Sequence, residues 1–196
     1  MLSFTLDTNC LIAVEEERPE AEAVRELVAQ QGASRATVRL VATMAAENQR
    51  DGTVLDSFSH FQRRINGLGL GVLEILAPVA ACDLTYLDWC VLAHDEAEAE
   101  AIKLHEVLFP TSPFGYLDAV PENLGDEARQ LAERKWRNQQ LDVLVLHTHI
   151  MAKADVFVTN DKNFLKQSKR PRLAELGARL ILIPLDAAAY AVAESS

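Results

Sequence analysis

Two short polar triplets stand directly after apolar segments: Asp7-Thr8-Asn9 follows Leu2 to Leu6, and Thr159-Asn160-Asp161 follows Val156 to Val158. Each sets a carboxylate among small hydrogen-bonding side chains. Asx and Thr side chains in such places often satisfy turn amides or cap helices, so neither triplet says much alone. Two further acids have equally ordinary explanations. Asp142 precedes the apolar run Val143 to Leu146, where a carboxylate at a helix start gains roughly 1 kcal/mol. Glu47 follows the apolar stretch Val38 to Ala42, where an exposed ion pair would account for it. Four acids at element boundaries suggest chemistry when taken together. Carboxylates gathered about 4 Å apart repel by roughly 4 kcal/mol at an effective dielectric of about 20. Hard divalent cations with oxygen ligands remove that repulsion, and a metal-bound water can attack a phosphodiester with no protein nucleophile.

The elements that must position these acids follow from periodicity and breakers. Leu2, Phe4 and Leu6 alternate with Ser3 and Thr5, which predicts a strand, with Asp7 to Asn9 as the turn after it. Pro19 can open a helix running to Gln31, with Ala21, Val24, Leu27 and Val28 as its apolar stripe. Val38 to Ala42 reads as a second strand, and Thr43 as the cap of a helix carrying Glu47. Residues 52–71 are polar and interrupted by glycine, and Val72 to Leu76 is a third strand. Helices are expected over Leu84 to Leu108, Glu122 to Arg137 and Asp142 to Lys153, with a proline-rich loop between the first two. Val156 to Thr159 and Leu180 to Ile183 complete the strands, and Ala187 to Ala193 makes a terminal helix. Strands separated by helices predict an α/β fold with a mostly parallel central sheet flanked by helices. Such sheets bind ligands beyond the carboxyl ends of their strands, where Asp7 and Asp161 stand.

At three places the chain resembles the PIN-domain nucleases (VapC-like ribonucleases): LSFTLDTNCLIA, VRLVATMAAENQ and LDVLVLHTHIMAKADVFVTNDKNF, in that order. The resemblance implies a three-layer α/β/α fold over residues 1–196, a single domain with insertions near 51–71 and 100–140. It implies acidic residues clustered around one or two Mg²⁺ or Mn²⁺ ions that cut single-stranded RNA. By position Asp7, Glu47, Asp142 and Asp161 match the family acids, with Asp51 an alternative to Glu47. Thr8, Asn9, Thr159 and Asn160 match their polar neighbours. The family also implies a homodimer, and an antitoxin or other inhibitor protein if the chain is the toxin of a toxin–antitoxin pair. A non-catalytic binding or scaffold domain with the same fold is the alternative. A haloacid-dehalogenase-type phosphatase also begins with a strand and an Asp, but it needs a second Asp two residues on, where Asn9 stands.

The remaining signals narrow the partners. With 19 Lys+Arg against 29 Asp+Glu the net charge is −10, which disfavours broad charge-driven binding to nucleic acid. A local basic run directly after Asp161, formed by Lys162, Lys166, Lys169, Arg170 and Arg172, could guide an RNA backbone. Phe164 and Trp136 are expected to pack, and Cys10 to be a small buried residue. His147 and His149 lie two apart on a predicted helix, so they point to different sides and cannot easily share an ion. Three cysteines without CxxC spacing argue against a disulfide framework or zinc knuckle. No basic-then-apolar leader opens the sequence and no run is long enough to span a membrane, so a cytoplasmic location is expected.

Overall fold

The computed structural model describes residues 1–33, 36–45, 58–86, 89–93 and 95–194. Glu47 and Asp51 lie outside these residues; Thr43, expected to cap the helix carrying Glu47, lies within a short 3-10 helix, Ala42–Ala45. Five strands form one all-parallel sheet in the order β3-β2-β1-β4-β5, from β1 (Leu2–Leu6), β2 (Ala36–Val41), β3 (Glu74–Leu76), β4 (Val156–Val158) and β5 (Leu180–Leu182). Phe4 sits opposite Val38 on one side and Val156 on the other. As the central strand β1 is covered on both faces, Phe4, Thr5 and Leu6 are all buried. The strict alternation of its sequence therefore hides a polar residue inside rather than marking a wet face. Thr5 is tolerated there because its hydroxyl meets His149 Nδ1 at 3.0 Å.

The chain leaves β1 through α1 (Thr8–Glu15) and α2 (Ala21–Gly32), and leaves β2 through α3 (Phe58–Gly67). After β3 it crosses back over the sheet through α4 (Ala97–Leu108), α5 (Tyr116–Ala119) and α6 (Asp126–Met151) to β4. Two short helices, α7 (Lys162–Leu165) and α8 (Arg170–Leu173), lead to β5, and α9 (Pro184–Ala193) closes the chain against α2. Strand order reverses direction after β3. Right-handed crossovers then send the connections before and after β3 to opposite faces, opening a crevice beyond the carboxyl ends of β1 and β4. Among the described residues no helix is long and apolar enough to cross a membrane.

Several expected elements are redrawn. Asp7-Thr8-Asn9 is not a free turn: Asp7 is the N-cap of α1, which begins at Thr8. Residues 58–67, within the stretch read from sequence only as polar and interrupted by glycine, form α3, with Phe58, Phe61 and Ile65 buried at helical spacing. The helix expected over 84–108 is confined to Ala97–Leu108, and Val91 instead bridges to Val79. The two helices expected over 122–137 and 142–153 are one continuous helix of 26 residues. Asn138 costs a helix only a fraction of a kcal/mol, and neither Gly nor Pro interrupts 126–151, so packing of the buried face beyond Gln140 carries the helix through.

After α8 the chain makes one π-helical turn, Ala174–Ala178, and leaves it at Gly177 with φ 102°. A Cβ there would come within 3.0 Å of Ile150 Cγ2 on α6. Gly177→Ala is expected to cost about 1–2 kcal/mol in urea denaturation, from backbone strain added to this contact.

Candidate active site

Asp7 is fixed from several directions. Its N–H donates to Val158 O at 2.9 Å, locking the end of β1 to the end of β4. Its carboxylate accepts the Thr8 N–H on Oδ1 at 2.8 Å, and on Oδ2 both Asn9 Nδ2 at 3.0 Å and the Thr159 hydroxyl at 2.6 Å. Burial pushes its pKa above the usual carboxylate value. The bonds from Thr159, Asn9 and Thr8 pull the other way, and the charge of Asp161 adds to the upward push. The raised value reflects chiefly the burial of this carboxylate, with the charge of Asp161 the smallest contribution.

Thr159 couples these two acids. It is fully buried, donates its hydroxyl to Asp7 and accepts the Asp161 N–H on the same oxygen at 2.9 Å. Asp161 is the N-cap of α7, with Oδ1 accepting the Asn163 N–H at 2.6 Å. Asn163 is braced in turn: its Nδ2 donates to Leu108 O at 3.2 Å, and its Oδ1 accepts Lys169 Nζ. Thr159→Val keeps the shape but removes both bonds made by the hydroxyl. It is expected to cost about 2 kcal/mol in chemical denaturation, with Thr159→Ser close to the native protein.

Asp142 arrives from the opposite side, on the middle of α6 rather than at a helix start. Asp7, Asp142 and Asp161 all line one cleft of about 330 Å³, together with Asn9, Asn138 and Arg134. The cleft opens beyond the carboxyl ends of β1 and β4. Arg134, Asn138 and Asp142 follow one another at i, i+4 and i+8 on α6, so they share one face. That ladder is present in the sequence, but dividing the helix between Arg137 and Asp142 concealed it.

The chain matches no protein-family model, no curated protein and no solved structure.

The other expected residues are distributed unevenly. Thr8 lines the cleft and Asn160 does not. Of the five residues in the basic run, Lys162, Lys166 and Arg172 are exposed, whereas Lys169 and Arg170 turn inward. Lys169 Nζ donates to Leu108 O at 2.6 Å, at the end of α4, and Arg170 Nη2 donates to Ile181 O at 2.7 Å. Leu108 O is a helix-end carbonyl, which attracts cations, and Ile181 O belongs to strand β5; both compete with any RNA for these two side chains. Burial also pushes the Lys169 pKa below its usual value.

Cys10 donates its thiol to Val158 O at 3.3 Å, and burial pushes its pKa upward, so it is no nucleophile. The two histidines do point apart: His147 Nε2 meets Glu100 Oε2 at 2.8 Å, while His149 lies between Thr5 and Ala178. Phe164 is fully buried, and Trp136 packs beside Leu84, Leu141 and Leu144.

The donor chemistry of the cleft fits a hard divalent cation, since three carboxylates and two side-chain amides offer only oxygen. Among the described residues no three His, Cys, Asp or Glu side chains are grouped closely enough to hold a metal ion together. A Mg²⁺ ion in this cleft would take only one or two of the carboxylates directly and keep several of its waters.

Proposed function

We propose that this chain is a metal-dependent endoribonuclease that hydrolyses single-stranded RNA, built on a PIN-like plan. The observation that carries the reading is the convergence of Asp7, Asp142 and Asp161, from three separate elements, on one cleft at the strand ends. Nothing in the folding of β1, α6 and β4 requires three acids to meet, and their mutual repulsion would select against it without a compensating cation. Asp7, Asp142 and Asp161 would hold Mg²⁺ or Mn²⁺, which when bound supplies a water of lowered pKa and stabilises charge on the phosphate.

The chain's own contribution is positioning. Thr159, Asn9 and Thr8 hold the Asp7 carboxylate at one orientation, and the Asn163–Lys169 brace fixes the loop that carries Asp161. Asn9 and Asn138 offer amide groups that can orient water or a phosphate oxygen. With Cys10 buried and His147 and His149 directed elsewhere, no thiol or imidazole among the described residues lines the cleft.

Incubation of a mixed single-stranded RNA pool with Mg²⁺, Mn²⁺ or EDTA tests the reading. Cleavage is expected with either metal and not with EDTA. One observation favours a second reading, a non-catalytic PIN-like binding domain: three donors from the chain already occupy the carboxylate of Asp7. Under that reading no metal binds by calorimetry and no RNA is cut.

A further inference from the structure

Arg134 belongs to two clefts at once. On one side it borders the three carboxylates, and on the other it lines a wider cleft of about 610 Å³ with Tyr116, Gln130 and Trp136. Polar neighbours in this wider cleft are committed to the protein. Trp136 Nε1 donates to Phe114 O at 2.9 Å, the Tyr116 hydroxyl donates to Glu133 at 2.8 Å, and Arg137 donates to Asp83 O. Arg134 is exposed and makes no hydrogen bond or ion pair among the described residues. The Tyr116 ring is set edge-on against Trp136, with centroids 5.1 Å apart, yet it remains 42% exposed. An aromatic ring held by one neighbouring ring and by its hydroxyl, yet partly open to solvent, offers surface on which a base can stack.

Asp83 and Glu133 lie along the wide cleft together with Arg137, whose guanidinium is held by Asp83 O, which among the described residues leaves Arg134 at the junction as the cation free to meet a phosphate. At the junction the guanidinium of Arg134 offers a planar fork matched to phosphate oxygens. Only an unpaired base can lie flat on a ring, which selects a single strand over a duplex.

We propose that the wide cleft is a subsite for a nucleotide flanking the cleaved bond of single-stranded RNA. Arg134 holds the phosphate at the junction, and Tyr116 stacks the flanking base. The assignment rests on the ribonuclease reading above, and it shifts RNA recognition from the basic run after Asp161 to the face of α6.

Fluorescence anisotropy with a fluorescein-labelled hexauridylate, in EDTA and again in Mg²⁺, tests it on the full chain. Arg134→Ala is expected to weaken binding about ten-fold and to lower the salt slope by about one, since one phosphate contact is removed. Tyr116→Ala is expected to weaken it about five-fold or more through lost stacking, while Tyr116→Phe, which keeps the ring, stays within about two-fold. A blunt duplex should bind equally to the native protein and to Tyr116→Ala. Thermal melts of each variant identify any that fails to fold, and Tyr116→Phe against Tyr116→Ala keeps the comparison on the ring alone. If the native protein binds the hexauridylate and both alanine variants bind it equally well, the subsite is overturned and the ribonuclease reading stands. If the native protein binds no single strand under either condition, both fall.

Discussion

Asparagine at both Asp7 and Asp142 is expected to abolish divalent-dependent RNA cleavage while leaving the chain folded. The exchange is nearly isosteric, and an amide oxygen at position 7 can still accept from Thr8 N–H or the Thr159 hydroxyl. What disappears is the negative charge that would hold a cation. Losing several kcal/mol of charge stabilisation corresponds to a rate loss on the order of a thousand-fold. Stability without metal should move the other way. Burial first, and the charge of Asp161 last, raise the Asp7 pKa in the folded chain above the ordinary 3.8. The folded state therefore binds more protons than the unfolded state just above pH 3.8, and this group's contribution declines as pH rises through the raised value. Asn removes that decline, so in EDTA the variant is expected to lose less stability toward neutral pH than the native protein. Adding Mg²⁺ should raise the native melting temperature by ligand linkage and leave the variant unchanged. Cleavage gels and melts with and without Mg²⁺ check both halves, and retained cleavage by the double variant would remove these acids from the mechanism.

Acid is expected to act on the fold through His149. Its ring is buried against Phe157, with Nε2 at 3.2 Å from Ala178 O and Nδ1 at 3.0 Å from the Thr5 hydroxyl. A carbonyl only accepts, so Nε2 carries the proton and Nδ1 accepts from Thr5. Burial lowers the pKa from 6.5 to about 4. Between these values the unfolded chain binds the extra proton and the folded chain does not. The stability contributed by neutral His149 is therefore complete above pH 6.5 and declines as pH falls toward 4, by about 3 kcal/mol in all. His149→Gln keeps an N–H donor for Ala178 O but does not titrate. Urea denaturation across this range should show a slope in the native protein that is flatter in the variant by that amount. Parallel curves for the two proteins would defeat the assignment.

The sheet was legible because each strand is a short apolar run bounded by turn residues, a local pattern. Asp7, Thr159 and Asp161 were legible for the same reason, being the residues on which those runs end. Helix limits were less so. The segment 58–67 carries Gln62, Arg63 and Arg64, and only its partners in the core reveal Phe58, Phe61 and Ile65 as a buried stripe. Breaking α6 near Asn138 placed Asp142 at a helix start, whereas it lies well inside the helix.

From sequence alone come the parallel α/β class, the strands and three of the acids, because periodicity and strand-end position are properties of neighbours along the chain. Tertiary structure decided the rest. It brought Asp142 across from α6 to Asp7 and Asp161, added Arg134 and Asn138 to the same cleft, and turned Lys169 and Arg170 away to cap backbone carbonyls. Those outcomes depend on which helix face meets which strand end, and on competition for a cation between backbone carbonyls and solvent. Neither is encoded in the spacing of residues within any one segment.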